Sequence, residues 1–198
     1  MGRKSINKTR SNSPEKKEEL IQRLIPFLQE KGLQGITMDN MAAAMDISKA
    51  TVYKYFQSRE EILATVIAFK LEEIKHFEEH LNDIKVEYLD RYKNAVQYLS
   101  ANISDITNLF LADLKTFFPH LWQLIDAFKD YCMNELKAYY NEGIRKGYFN
   151  KINPEIMVLT DQFFLDKLTD PDFLVTHKLS IQQAFDEYFR MKFYGIMK

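Results

Sequence analysis

Cysteine occurs once in 198 residues, as Cys132, so no intramolecular disulfide can form and a disulfide-stapled scaffold is excluded. A reducing compartment follows as the expectation. Glycine and proline are scarce, at six and five, and no glycine-rich phosphate loop is present. Long apolar runs are missing as well. The longest, Ile62 to Phe69, is far too short to span a bilayer, and the polar N-terminus lacks the apolar segment of a secretory signal. These absences predict a soluble cytoplasmic protein with no membrane partner. What is present is ordinary globular material. Apolar residues make up 46% and charged residues 28%, which excludes wholesale disorder. The length suits one large domain or two small ones, with a core that needs no staples.

The net charge of −1 hides an asymmetry. Residues 1–60 carry 11 Lys/Arg against 7 Asp/Glu, and residues 61–198 carry 16 against 21. Six of the bases lie in the first 17 residues: Arg3, Lys4, Lys8, Arg10, Lys16 and Lys17. A basic N-terminal part on an acidic body suggests a polyanion partner for the first part, or else a solubilising arm.

Helical punctuation recurs along the chain. Ser13-Pro14 reads as a cap followed by proline at the first helical position, and Leu20, Ile21, Leu24, Phe27 and Leu28 keep helical spacing up to Gly32. Pro26 inside that helix is expected to kink it. A short segment follows Thr37, and another opens at Ser48 and ends near Phe56. Ser58 and Glu61 form a capping box at the head of a helix that stays amphipathic to about His80. Further stripes follow: 89–103, 106–117 stopped by Pro119, a long one from Leu121 to Gly143 and Gly147, one from Pro154, and one from Ser180 to the end. No period-2 run of strand length appears. The fold class is therefore all-α, with about nine helices.

Two short helices joined by a tight turn suit the major groove, which admits a helix whose first turn meets base edges. In 48–56, Val52 and Phe56 pack inward and leave hydroxyls and cations outward, while the helix starts at Thr37 and Ser48 offer N–H groups to phosphates. Gly32, Thr37, Met41-Ala42, Ile47-Ser48, Thr51-Val52-Tyr53, Tyr55-Phe56 and Ser58-Arg59-Glu60 with Leu63 closely resemble the DNA-binding domain of the tetracycline-repressor-like (TetR) family. The match covers about residues 15–63. Asp46 stands where the family usually has glycine in the turn, and Arg59 where it usually has lysine. The resemblance implies phosphate contacts from Thr37, Ser48, Tyr53 and Arg59. It places Lys49, Ala50, Thr51, Lys54 and Tyr55 near bases or the adjoining backbone, although Thr51 and Tyr55 also fit a place against the preceding helix.

Other constellations carry less. His76-Phe77-Glu78-Glu79-His80 spells the H-x-x-E-H pattern of an inverted zinc-protease motif, a metal-dependent hydrolase reading that lacks a third ligand and a protease core. A solvated histidine pair is the plainer account, and no metal or cofactor is implied. Cys132 on an apolar stripe reads as a core residue. Residues 61–198 hold 13 Phe, 9 Tyr and Trp122, which at helical spacing are mostly core.

The resemblance adds an effector cavity in this body, with Phe110, Leu114, Trp122, Phe128 and Tyr131 as candidate walls and an apolar or aromatic occupant. It also implies a homodimer through the last two helices, with Phe163, Phe185, Tyr188, Phe189 and Phe193 at the contact. The expectation is thus a basic arm at 1–13, a three-helix helix-turn-helix DNA-binding domain at 14–60, and a ligand-binding and dimerisation bundle of about six helices at 61–198. The function implied is that of a bacterial, ligand-released repressor on a pseudo-palindromic DNA operator, and not an enzyme. A protein-interaction module on the same fold is the alternative.

Overall fold

The computed structural model describes residues 13–196, with side chains through Phe193. Of the expected arm at 1–13, only Ser13 falls among them. Eleven helices and no strand make up the described residues. Ser13 accepts the Lys16 N–H and starts α1 (Pro14–Lys31). The helix runs through Pro26, which lies on its exposed side. Thr37 caps α2 (Met38–Ala44), Ser48 caps α3 (Lys49–Tyr55) and Ser58 caps α4 (Arg59–Lys75). Then come α5 (Phe77–Asn82), α6 (Tyr88–Ile103), α7 (Asn108–Phe117), α8 (Pro119–Lys146), α9 (Pro154–Leu168), α10 (Pro171–Thr176) and α11 (Ile181–Ile196).

Two helices exceed the nine expected. The helix assigned as far as His80 breaks at His76, and the break turns Phe77 and Leu81 into the second core beside α6. Pro171 opens the short α10, whose Leu174 fills the same core.

Apolar side chains gather into two clusters. The first is built by α1, α2, α3 and the front half of α4, and is closed by Phe110, Leu114, Phe118 and Leu121. The second is built by α5, α6, α8, α9, α10 and α11, with Ile74 and Leu111. The division expected at residue 60 falls in the first turn of α4, whose Ile62, Leu63, Val66 and Ile67 belong to the first cluster. Packing therefore changes over within α4, not at its start.

Helix α7 serves both clusters, and its polar side grips the end of α1. Asp113 Oδ2 accepts the backbone N–H groups of Leu33 (2.6 Å) and Gln34 (3.0 Å). The Thr107 N–H donates to Gln29 Oε1 and its hydroxyl to the Gln29 carbonyl, both at 2.8 Å. Gly32 sits at φ 73°, and a Cβ there would run into Asp113 Oδ2. This approach accounts for glycine at that position better than turn geometry alone.

A buried polar network joins four helices of the second cluster. Lys192 of α11 pairs with Asp161 of α9, and both are buried. Tyr140 and Tyr188 donate to the same carboxylate at 2.7 and 2.6 Å, and Tyr92 shares a hydrogen bond with Tyr140 at 2.6 Å. Burial pushes the Tyr92 and Tyr140 hydroxyls well above the usual tyrosine range and the Lys192 ammonium below the usual lysine range. Leaving one charge of such a pair alone costs about 3–5 kcal/mol, whereas replacing both by apolar groups costs far less. Asp161→Leu should thus lose several kcal/mol in urea denaturation, and adding Lys192→Met should restore most of it. Equal losses in the single and double variants would show that the charges do not act as a pair.

Candidate nucleic-acid interface and internal cavity

Thr37 and Asn40 cap each other: the Asn40 N–H donates to Thr37 Oγ1 at 3.2 Å, and the Thr37 N–H donates to Asn40 Oδ1 at 3.0 Å. Asp46 then takes the left-handed conformation, φ 57°, as its place in the turn requires. Its N–H bonds to the Ala43 carbonyl and that of Ile47 to the Ala42 carbonyl, which fixes the angle at which α3 leaves α2. Val52 and Phe56 are buried and seat α3 on the first cluster. Lys49, Ala50, Tyr53 and Lys54 are left exposed on the outer side, with the caps Thr37 and Ser48 beside them.

Three residues are more committed than the spacing suggests. Thr51 is half-buried, and its hydroxyl shares a 2.8 Å hydrogen bond with Ser48 Oγ. Tyr55 is half-buried against the first cluster, so its ring faces protein more than solvent. Arg59 donates to the Ile36 carbonyl at 3.0 Å and lies 5.2 Å from the centre of the Phe118 ring. One edge of that guanidinium is engaged in bracing the start of α4. Lys49 Nζ donates to Asp39 Oδ2 of α2 at 2.9 Å, a pairing that no helix-turn-helix spacing announces.

The body holds a partly open cavity of about 130 Å³ with wholly apolar exposed walls. Phe77, Ile103, Leu111, Phe128, Leu136 and Phe185 are among its lining residues. Of the five expected wall residues, Phe128 lines it, and Phe110 lines a smaller void of about 40 Å³ that shares Ile74 and Leu111 with it. Leu114 is instead fully buried in the first cluster. Trp122 packs between the clusters with the Lys115 ammonium 5.5 Å from its ring, and Tyr131 lies under Lys75 at 5.5 Å. Cys132 also lines the cavity, and burial pushes its thiol up to about 12. The remaining walls carried no sequence signal, because a cavity-lining Leu or Ile has the same helical spacing as a core one.

The residues expected at the dimer contact differ in burial within the single chain. Phe185 and Phe189 are 4% and 3% exposed and line the cavity, because their side of α11 turns inward. Tyr188 stacks on Phe164, Phe193 is half-buried against Tyr92, and Phe163 stands 63% exposed. Among the described side chains of these two helices, the large apolar ones left outward are Ile156, Leu159 and Phe163 of α9 and Met191 of α11. As for the histidine motif, His76 caps the break and lies 2.8 Å from Glu79, while the His80 ring packs on Tyr98. Among the described residues no group of three or more His, Cys, Asp or Glu is placed to hold a metal ion.

Residues 27–66 match the bacterial regulatory proteins of the tetR family. The chain is 23% identical over 171 residues to YvaF of Bacillus subtilis (strain 168), an uncharacterized HTH-type transcriptional regulator, covering 86% of this chain and 90% of that one. Among solved structures, a transcriptional regulator from Saccharomonospora viridis in complex with choline superposes with a TM-score of 0.72 at 15% identity. That match covers 94% of this chain and all of that one. The ketosteroid transcriptional regulator KstR2 of Mycobacterium tuberculosis gives 0.62 at 17% identity, covering 94% and 97%.

The left-handed turn is the local conformation on which the placement of α3 rests. A β-branched residue is strained there by about 1–2 kcal/mol, whereas glycine is not. Asp46→Val should therefore lower stability in urea denaturation by about that amount, with Asp46→Gly at or above the parent. An unaffected Asp46→Val would mean that the turn tolerates another conformation.

Proposed function

We propose, on the premise that this chain is a transcriptional regulator of the tetR family, that it binds a pseudo-palindromic operator as a homodimer and is released by a small apolar effector. Residues 14–60, completed by the front of α4, form the DNA-binding part. Residues 61–198 form the effector and dimer part. The observation that carries the reading is the outer side of α2 and α3, where capped, rigidly seated helices expose Thr37, Ser48, Lys49, Tyr53 and Lys54 together. Lys49, in the first turn of α3, is placed to read a base edge, with Tyr53 one turn on along the same side. Ser48, Thr37 and the free edge of Arg59 suit phosphates. Ala50 suits close approach to a base, whereas Thr51 and Tyr55 act by positioning α3.

The cavity supports the effector reading. An apolar cavity of this size stays dry and accepts a single ring or a short hydrocarbon. Choline is the ligand of the Saccharomonospora viridis protein, and a quaternary ammonium is favoured by aromatic faces with a nearby anion. Here the wall offers Phe77, Phe128, Phe185 and Phe189, and its one charged residue, Lys129, is already paired with Asp126 and Asp166, which favours an uncharged occupant. Leu111 of the wall and Asp113 at the end of α1 sit on the same helix, α7. An occupant that binds one setting of α7 better than another shifts the DNA-binding part by that difference in affinity. Repression follows if the operator-bound form is the unliganded one. No described helix is long and apolar enough to cross a membrane.

Duplexes selected from a random pool by the purified protein provide the test. Lys49→Ala should weaken the selected duplex tenfold or more and relax preference at one base position in each half-site. Tyr53→Phe should weaken selected and scrambled duplexes by similar factors, as loss of a phosphate contact does. Lys49→Ala lowering all duplexes alike would remove it from base reading. No enriched sequence at all would favour the protein-interaction module.

Light scattering tests the dimer. The parent should give twice 23.5 kDa, and Phe163→Asp, an outward substitution, should return it to the single-chain mass with the helical circular dichroism intact. An unchanged mass would place the contact elsewhere.

A further inference from the structure

We infer that Asp39 is a specificity-determining residue, holding the Lys49 ammonium at the base edges and away from the DNA backbone. The inference rests on the DNA-binding reading above and concerns how that surface tells one sequence from another.

Asp39 is the second residue of α2, and its side chain is two-thirds exposed on the side where α2 meets α3. On a surface that approaches a polyanion, such a carboxylate is unfavourable. It repels phosphates whatever the sequence, so a protein selected for DNA affinity alone is better without it. The carboxylate is nevertheless held in place. Met41, Ala42 and Val52 are buried between the two helices, and the Asp46 turn fixes their angle, so Asp39 and Lys49 face each other across a rigid elbow. The hydrogen bond to Asp39, with its charge, also holds the Lys49 pKa above the usual lysine value.

The number of donors on an ammonium turns this pairing into discrimination. Lys49 has three N–H groups, and Asp39 takes one. The other two remain for guanine O6 and N7, which accept without displacing Asp39. Moving out to a phosphate breaks the Asp39 bond and exchanges one anion for another, with little gain. The carboxylate therefore subtracts from sequence-independent binding and leaves base reading intact, which is specificity by difference. Lys54 provides the internal contrast. It lies on the same helix, is exposed, and has no ion-pair partner among the described residues, so it is free for the backbone.

The test uses the full-length protein, a duplex selected by it and a scrambled duplex, with anisotropy across a salt series. Asp39→Ala should tighten the scrambled duplex about tenfold and change the selected one by less, so that the affinity ratio falls. Its salt dependence on the scrambled duplex should steepen by about one unit per released lysine. In a Lys49→Ala background the same Asp39→Ala change should leave the ratio where it was. Asp39→Asn keeps an acceptor for Lys49 without the charge and should retain more of the ratio than Asp39→Ala. A ratio unmoved by Asp39→Ala overturns the inference, as does an equal fall in both backgrounds, which would make Asp39 act through its own charge. A stabilising role at the start of α2 would instead lower the melting temperature of both variants alike with the ratio preserved. If the wild type does not distinguish the two duplexes, the DNA-reading account fails first and this inference with it.

Discussion

The hold of α7 on the end of α1 is the constraint on which the remaining geometry depends. Two backbone N–H groups in the loop just past α1 converge on one carboxylate, Asp113, which takes both. Gln29 is buried by the same contact and is satisfied by Thr107, the cap residue just before α7. Because Gly32 through Ile36 lead straight to the Thr37 cap, whatever holds Leu33 and Gln34 also places α2, and through the Asp46 turn α3. Arg59 braces the same loop from the other side, through the Ile36 carbonyl, while resting on Phe118. Helices α2 and α3 are thus held against the body at both ends of one loop.

That arrangement gives the cavity something to act on. Leu111 faces the cavity, Phe110 and Leu114 face the first cluster, and Asp113 faces α1, all within one turn or so of α7. A packed helix with two well-filled sides moves as a unit and does not deform gradually. On the proposed effector reading, a change at the cavity wall would reach the loop before Thr37 through this helix. The buried Asp161–Lys192 pair ties α9 to α11, while Ile156, Leu159 and Phe163 of α9 and Met191 of α11 remain exposed.

Much of this was legible in the sequence, for reasons that differ by element. Caps and hydroxyls announce themselves locally, so Ser13, Thr37, Ser48 and Ser58 marked four helix starts correctly, and Asp46 was readable as a left-handed turn residue. Long-range polar contacts have no such signature. Asp113 lies 80 residues from Leu33, and nothing in its neighbourhood distinguishes it from a solvated aspartate. The direction in which an aromatic stripe points is equally hidden. Phe185 and Phe189 have the spacing of a contact surface but turn inward, while Ile156 and Met191, which spacing does not set apart from core residues, stand outward. The break at His76 escaped because the amphipathic spacing runs through it without interruption.

Amide hydrogen exchange on the full-length protein, with and without a duplex it has selected, addresses the central claim most directly. The account expects the added protection to be concentrated in residues 37–59, where α2, α3 and the start of α4 present their outer side. It also expects the Leu33 and Gln34 amides to be slow already in the free protein, because Asp113 holds them. Protection centred on α9 and α11 instead, or a duplex that leaves residues 37–59 unchanged, would contradict it.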